Sequence, residues 1–247
     1  METKFEPVMS GRRAPVAPLP ATPSGTGGAT LPIAQNAVLR NTYWLLALSM
    51  LPTVAGAFVG MQFNFAAVFR AAPIMAPLLM FAAMLGSLFV VTRLRNSAWG
   101  VVALLGFTFI AGVFLTPILT VAAGFRNGGQ LVALAGGMTA AIFFAMATIA
   151  TVTKKDFSFM GKFLMVGLAL LIVASLANLF FQVPALSLTI SAVAVLIFSA
   201  YILYDVSNIV RGGETNYVMA TLGLFLNVYN LFISLLNILL AFTGQRD

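Results

Sequence analysis

The sequence predicts an all-α membrane protein, a bundle of seven transmembrane helices. Of its 247 residues, 61% are hydrophobic and 8% are charged, which is more apolar surface than a water-soluble domain of this length can bury. Seven apolar stretches follow one another, and each reaches the length of about 20 residues that a helix needs to cross a bilayer. We expect the spans at 42–63, 73–92, 98–121, 131–152, 163–183, 186–205 and 218–242.

The segment before the first span, Met1 to Asn36, is predicted to be a disordered cytoplasmic tail. It contains six of the eleven prolines and a Gly/Thr-rich run at 23–28, with too little apolar content to fold alone. No apolar core follows Arg12-Arg13, so the segment does not read as a signal peptide. It is either a solvated leader or an exposed handle for a partner or a protease. The seven-helix domain then covers 37–247.

The first four spans carry signals for close packing and for bending. Glycines spaced along a membrane helix let two backbones approach, which we expect in spans one, three and four. Pro52 and Pro117 lie inside spans and should bend them or free a carbonyl group, and Thr116 and Thr120 could satisfy exposed backbone near Pro117. The glycines are Gly56, Gly60, Gly106, Gly112, Gly136 and Gly137.

The distribution of basic residues predicts a cytoplasmic N-terminus and a periplasmic C-terminus. Cytoplasmic loops of membrane proteins carry an excess of Lys and Arg. With this orientation the opposite side holds only Arg70, Arg126 and Arg246 of the thirteen basic residues. The other ten are Lys4, Arg12, Arg13, Arg40, Arg93, Arg95, Lys154, Lys155, Lys162 and Arg211.

Span seven contains a polar stripe, which we define as Asn227, Asn230, Ser234 and Asn237. Together with Gly223 these residues follow spacings of three and four, so they fall on one face of a helix. Amides that face lipid would leave donors and acceptors unmet, so the stripe should point into the bundle. It either forms interhelical hydrogen bonds or lines a hydrated cavity or pathway.

Asp205 is the one carboxylate at the end of a predicted span, near the cytoplasmic surface. Arg211, Arg93 and Arg95 lie on the same predicted side of the membrane and are candidate partners for its charge. Two interpretations remain open. Asp205 is either a structural carboxylate satisfied by arginine or backbone at the mouth of the bundle, or part of a pH- or cation-sensitive latch.

The loop at 212–217 is explained by turn and capping chemistry. Gly212 and Gly213 can adopt positive φ for a tight turn after span six. Thr215 or Asn216 can cap span seven, with Glu214 near the positive end of that helix.

Composition argues against an enzyme, a bound cofactor and the usual metal sites, and leaves open only a cation site built of carboxylates. The chain has no cysteine and no histidine, which removes thiol catalysis, the usual zinc sites and Ser-His-Asp hydrolysis. The spans hold no second Asp or Glu to share a proton with Asp205 and no lysine to activate a serine. The net charge of +7 is explained by membrane topology, since no basic run is interleaved with aromatics as a nucleic-acid site would need.

Three segments near the C-terminus carry a family resemblance. Residues 204–209 read Tyr-Asp-Val-Ser-Asn-Ile, 212–217 read Gly-Gly-Glu-Thr-Asn-Tyr, and 226–236 read Leu-Asn-Val-Tyr-Asn-Leu-Phe-Ile-Ser-Leu-Leu. Together they resemble the signature of the Bax inhibitor-1 superfamily. The resemblance implies a seven-helix fold of Bax inhibitor-1 type, with span seven enclosed by the others. Further segments, at 38–43, 155–161 and 184–186, are similar to one bacterial branch of that superfamily.

The resemblance to this branch implies a regulator of proteolysis in the bacterial inner (plasma) membrane. It implies association with the membrane AAA protease FtsH and its regulatory complex. Such proteins are poorly degraded substrates that engage the protease through a cytoplasmic tail and restrain it. We therefore expect Met1 to Asn36, as a segment, to make that engagement.

The wider superfamily implies an alternative, a pH-sensitive calcium leak. Its proposed sensor is a pair of aspartates, one after span six and one in span seven, with an arginine latch nearby. Asp205 matches the first aspartate, but Asn227 stands where the second would be. An amide does not titrate and brings no charge to strip a calcium ion of water, so this departure weakens the alternative.

Overall fold

The computed structural model describes residues 30–63, 65–153 and 155–244, and the regular structure in these ranges is entirely helical. The described residues form the helices α1 (Thr30–Gly60), α2 (Phe65–Ala71), α3 (Met75–Leu94), α4 (Trp99–Phe114), α5 (Thr116–Ala123), α6 (Gly128–Thr153), α7 (Met160–Phe181), α8 (Pro184–Val210) and α9 (Tyr217–Thr243).

Within the described ranges, seven helical segments are long and apolar enough to cross a membrane, which confirms the predicted fold class. Each lies within several residues of its predicted position, and the third combines α4 with α5. The short helix α2 lies between the first two spans. The spans are Ala37–Gly60, Met75–Leu94, Trp99–Ala123, Gly128–Thr153, Met160–Phe181, Pro184–Val210 and Tyr217–Thr243.

The first helix begins earlier than the sequence predicts. α1 starts at Thr30, so the predicted tail boundary at Asn36 is too late and 30–36 belong to the helix. Pro32 falls in the first helical turn, where a missing N–H costs no intrahelical hydrogen bond, so the helix can extend this far back. Residues 1–29 of the predicted tail lie outside the described residues.

α9 is the central helix of the bundle. In its most apolar window 44% of the residues are buried, against 11–39% for the other six spans. It packs against α1, α4, α5, α6 and α8, and Phe225, Leu231 and Leu236 are fully buried in its core contacts. The helix that carries the polar stripe is therefore enclosed by the others, as the family resemblance implies.

α1 and α4 pack so closely that their backbones touch. A Cβ atom at Gly56 would overlap the carbonyl oxygen of Phe109, and one at Gly112 would overlap the carbonyl oxygen of Thr53. Gly60 likewise lies against α5 and the end of α4, so close packing is confirmed for these three glycines. The prediction is wrong for the other three, because nothing lies within 4 Å of a Cβ atom built at them. Those three are Gly106, Gly136 and Gly137.

The third span is interrupted at the position where proline was expected to disturb it. Pro117 has no N–H to donate to the carbonyl oxygen of Val113, and α4 ends at Phe114. The hydroxyl of Thr116 donates to that carbonyl oxygen at 2.6 Å, and the hydroxyl of Thr120 donates to the Thr116 carbonyl at 2.8 Å. The predicted role of Thr116 is confirmed, whereas Thr120 binds a carbonyl oxygen of its own helix α5 that Pro117 does not leave unpaired. Pro52, by contrast, lies within an unbroken α1.

α3 and α7 are the peripheral helices. Only 11% of the most apolar window of each is buried, and α7 packs chiefly against α8. Large apolar side chains such as Phe89, Phe163 and Phe181 are exposed on their outer faces. A bilayer solvates such surfaces, so these faces meet the lipid chains.

Candidate functional site

Asp205 of α8 is held by α9. The side-chain amide of Asn227 donates to Oδ2 of Asp205 at 2.7 Å. One turn earlier on α9 lies Gly223, where a Cβ atom would approach the same oxygen to 3.2 Å. Gly223 and Asn227 therefore form a notch on α9 that receives the half-buried carboxylate. Asn227, which the family resemblance places where the wider superfamily has a second aspartate, is thus in direct contact with Asp205.

Asp205 lies inside a helix rather than at the mouth of the bundle. α8 continues to Val210, more than one turn beyond the predicted end of span six. Arg211 follows the helix and binds Asp156, with Nη2 and Oδ2 2.8 Å apart. Arg93 and Arg95 are exposed at the end of α3, and neither pairs with a carboxylate in the described ranges. The structure thus does not bring the three predicted arginine partners to Asp205.

The polar stripe divides into three parts with different surroundings. Asn227 binds α8 as described above. The amide of Asn230 donates to the carbonyl oxygen of Leu226 at 2.8 Å, and the hydroxyl of Ser234 donates to the carbonyl oxygen of Asn230 at 2.7 Å. Asn237 lines two adjoining cavities at the other end of the bundle. Of the four stripe residues, only Asn227 forms an interhelical hydrogen bond, and only Asn237 lines these cavities.

Asn216 joins two loops at the end of the bundle near Asp205. Its side-chain oxygen accepts from the N–H groups of Val218 and Met219 at 3.0 and 3.1 Å, so it is the cap of α9. Its amide nitrogen donates to the carbonyl oxygen of Arg95 at 3.0 Å, which fixes the α3–α4 loop. Gly212 has a φ of 79°, which confirms the predicted tight turn after α8.

A third loop meets the same end of the bundle through Asp156, a residue that the sequence-based prediction of the site omits. The hydroxyl of Ser207 donates to the Lys155 carbonyl oxygen at 2.9 Å, and the N–H of Ser158 donates to Oδ1 of Asp156 at 2.8 Å. An Asp-x-Ser sequence before an apolar helix is typical of a helix start, and Arg211 lies on the same predicted side. Those two signals together could have indicated the ion pair.

Hydrogen bonds from the Ser158 hydroxyl and N–H hold the pKa of Asp156 below its usual value, and the Arg211 charge adds to the shift. The ion pair itself is exposed, with 44% and 47% of the two side chains accessible. Exposed pairs contribute little to stability because solvent screens them. The pair therefore positions the loop more than it stabilises the fold.

We expect the pKa of Asp156 to lie below the usual aspartate value of about 3.9. Because its pKa is lower in the folded state, the loop contact is fully present above the unfolded pKa and is lost as pH falls through the folded pKa. Carbon-13 NMR of labelled aspartates, of which the chain has three, measures this midpoint. Ser158→Ala should raise it more than Arg211→Gln does. Equal midpoints in all three proteins would contradict the assigned cause.

Comparison with known proteins decides the family. The family model described as "Inhibitor of apoptosis-promoting Bax1" matches residues 35–244. The chain belongs to the Bax inhibitor-1 family. The match covers every membrane span of this Bax inhibitor-1 protein and leaves nearly all of the predicted tail outside.

Several bacterial relatives resemble this Bax inhibitor-1 protein over most of their length. A membrane protein of Vibrio cholerae is 41% identical over 204 residues, 83% of this chain and 89% of that protein. A protein of Pseudomonas aeruginosa is 42% identical over 203 residues, 82% and 88% of the two chains. The Escherichia coli K12 protein named modulator of FtsH protease YccA is 39% identical over 209 residues, 84% and 91% of the two chains. A protein of a second E. coli strain, equally similar, is named inner membrane protein YccA.

Proposed function

We propose that this Bax inhibitor-1 protein is a non-enzymatic regulator that restrains an FtsH-type membrane AAA protease. The observation that carries the proposal is its 39% identity to the modulator of FtsH protease YccA over 91% of that protein. The proposed mechanism is that residues before α1 engage the protease, which then fails to extract the bundle and is held by a poorly degraded substrate. FtsH and its regulatory complex are the proposed partners.

The packing of the bundle supports slow extraction. An N-terminal pull reaches α1 first, and α1 contacts α4 through backbone atoms at Gly56 and Gly112. It also packs against α8 and α9. Such close backbone contact is typical of strong helix association in membranes. A protease that pulls from this end must break the tightest interface before it can withdraw any other span.

The proposed location is the bacterial inner membrane, with a cytoplasmic N-terminus and a periplasmic C-terminus. The name of one E. coli relative supports the membrane assignment. The basic loops support the orientation, because three of them meet at one end of the bundle. They are joined there by the hydrogen bonds of Asn216 and Ser207 and by the ion pair between Arg211 and Asp156. An excess of positive charge at one end favours the cytoplasm.

Truncation tests the tail mechanism. Because α1 begins at Thr30, the informative variant lacks residues 2–29 and keeps the whole helix. We expect this variant to fold but to lose co-purification with FtsH from native membranes, and to leave degradation of a reporter substrate at the rate seen without the regulator. The measurements are the amount of FtsH retained and the half-life of the reporter.

The matched control is a chain whose residues 2–29 are scrambled at constant composition. If the protease is still restrained after scrambling but not after deletion, engagement depends on the length of this segment and not on its sequence. If deletion leaves both FtsH retention and reporter half-life unchanged, the tail mechanism is wrong. Size-exclusion chromatography in detergent confirms that each variant is folded.

The split of the polar stripe favours this function over the calcium leak. The cavities lined by Asn237 do not have Asp205 or Asn227 among their lining residues. Asn230 and Ser234, between them, bind their own helix backbone instead of lining those cavities. The carboxylate at one end and the cavities at the other therefore do not share a common lining.

A further inference from the structure

A cleft with both polar and apolar walls opens at the end of the bundle away from Asp205. It consists of two adjoining cavities of about 460 and 410 Å³, which is within the range of ligand pockets. One lies between α7, α8 and α9, and the other between α5, α8 and α9. Both are lined by Pro184, Ser187, Ser191 and Asn237. We call these two cavities the α8 cleft.

Several hydrogen-bonding side chains of the α8 cleft have no protein partner. Those of Ser175, Gln182, Ser187 and Asn237 form no hydrogen bond with another residue in the described ranges. By contrast, the hydroxyl of Ser191 donates to the Ser187 carbonyl oxygen at 3.0 Å. Two amides and two hydroxyls are thus available to a molecule in the cleft, and each is able to donate a hydrogen bond.

The position of Gln182 adds a second, independent observation. It caps α7 with a φ of 52°, the left-handed conformation in which glycine is the usual residue. It is the one non-glycine residue of the described ranges with a positive φ. The chain accepts an unfavourable backbone conformation and gains a side-chain amide in the lining of the cleft, which a glycine would not supply.

The composition and depth of the lining indicate what binds there. The cleft lies in the last turns of α7 and α9 and the first turns of α8, so it sits where headgroups and acyl chains meet. Apolar residues such as Leu179, Ile190 and Leu240 alternate with the amides and hydroxyls, and no charged side chain contributes. Phe180 and Phe181, which lie between the lining residues Leu179 and Gln182 in the sequence, are exposed. This is a surface for an amphiphile.

We propose that the α8 cleft binds one phospholipid. The donors of Asn237, Gln182 and Ser187 bind the oxygen atoms of its ester and headgroup region, and its acyl chains lie along the apolar faces of α7 and α5. Because no charged side chain lines the cleft, the site does not discriminate between zwitterionic and anionic headgroups. The proposal is independent of protease regulation.

Native mass spectrometry of the full chain, with added phosphatidylethanolamine or phosphatidylglycerol, tests the proposal. We expect one retained lipid per chain and similar retention of the two lipids. Asn237→Leu and Ser187→Ala should each lower retention about fivefold, since each removes one hydrogen bond. Ser199→Ala is the matched control on α8, because its hydroxyl binds the Val195 carbonyl oxygen at 2.6 Å and does not line the cleft. Equal retention in all variants would overturn the site.

Thiol labelling provides a second test that does not depend on a destabilising variant. The chain has no cysteine, so Ser187→Cys introduces a unique thiol. In vesicles, lipid in the cleft should protect this thiol from a water-soluble maleimide supplied on both faces, while Asn127→Cys in the exposed α5–α6 turn labels fully. Labelling of both thiols at one rate would show a water-filled cleft and overturn the proposal. Protection by glycerophosphoethanolamine without lipid would also overturn it, because that molecule lacks acyl chains.

Discussion

Replacing Gly112 with alanine is expected to destabilise the bundle by about 1–3 kcal/mol, the usual cost of overpacking. The new Cβ atom would overlap the backbone of Thr53. Because backbone atoms cannot move aside as the end of a flexible side chain can, α1 must separate from α4. Gly56→Ala should have a similar effect through the carbonyl oxygen of Phe109. Unfolding by SDS in mixed micelles, followed by circular dichroism, measures both changes.

The matched controls are Gly106→Ala on the same helix and Gly136→Ala on α6. Nothing lies within 4 Å of a Cβ atom at either position, so alanine meets no clash there. Alanine is favoured over glycine inside a helix, and these variants should be neutral or more stable by about 0.5–1 kcal/mol. The two pairs are therefore expected to differ in sign. If Gly112→Ala is as stable as Gly106→Ala, the backbone contact between α1 and α4 does not exist.

Replacing Asn227 with leucine is expected to cost about 1–3 kcal/mol, because Oδ2 of Asp205 is left without its hydrogen-bond partner inside the bundle. The notch formed by Gly223 and Asn227 supplies the only side-chain hydrogen bond of that carboxylate within the described ranges. Asn227→Asp should also destabilise, since it puts a second carboxylate against the first. The same SDS titration measures both variants.

A double-mutant cycle isolates the contact. The combination of Asp205→Leu with Asn227→Leu should cost less than the sum of the two single changes, since the double variant leaves no polar group unpaired. Asn230→Leu is the control within the stripe and should cost less, because its amide binds the carbonyl oxygen of Leu226 in its own helix. Additive single changes would mean that the 2.7 Å hydrogen bond contributes nothing.

Hydropathy and length were sufficient to predict the seven spans, because the bilayer imposes one dimension on every helix that crosses it. The Thr116 hydroxyl was predictable for the same kind of reason, since Pro117 must leave the Val113 carbonyl without its usual donor. Local chemistry along one helix can be read from sequence. The capping of α9 by Asn216 also belongs to this class.

Contacts between helices were less predictable. Gly106 and Gly112 look alike in the sequence, and only the position of α1 shows that a Cβ atom is excluded at Gly112 and tolerated at Gly106. The polar stripe has one periodicity, yet asparagine and serine can bind their own backbone four residues earlier, so shared spacing does not imply shared partners. Asp205 was expected near arginine because Arg211, Arg93 and Arg95 lie on the same predicted side of the membrane, but Arg211 follows α8 and binds Asp156 of another loop.

The contact between α1 and α4 also has a mechanical consequence. Under the proposed function, the protease applies force along the chain at the start of α1, roughly parallel to the axis of that helix. The contacts at Gly56, Gly60 and Gly112 then lie in a row along the line of pull and are loaded together in shear, instead of being peeled apart one at a time. Contacts that are loaded together in this way resist the force until all of them break at once. The first helix would therefore set the force threshold for the entire bundle.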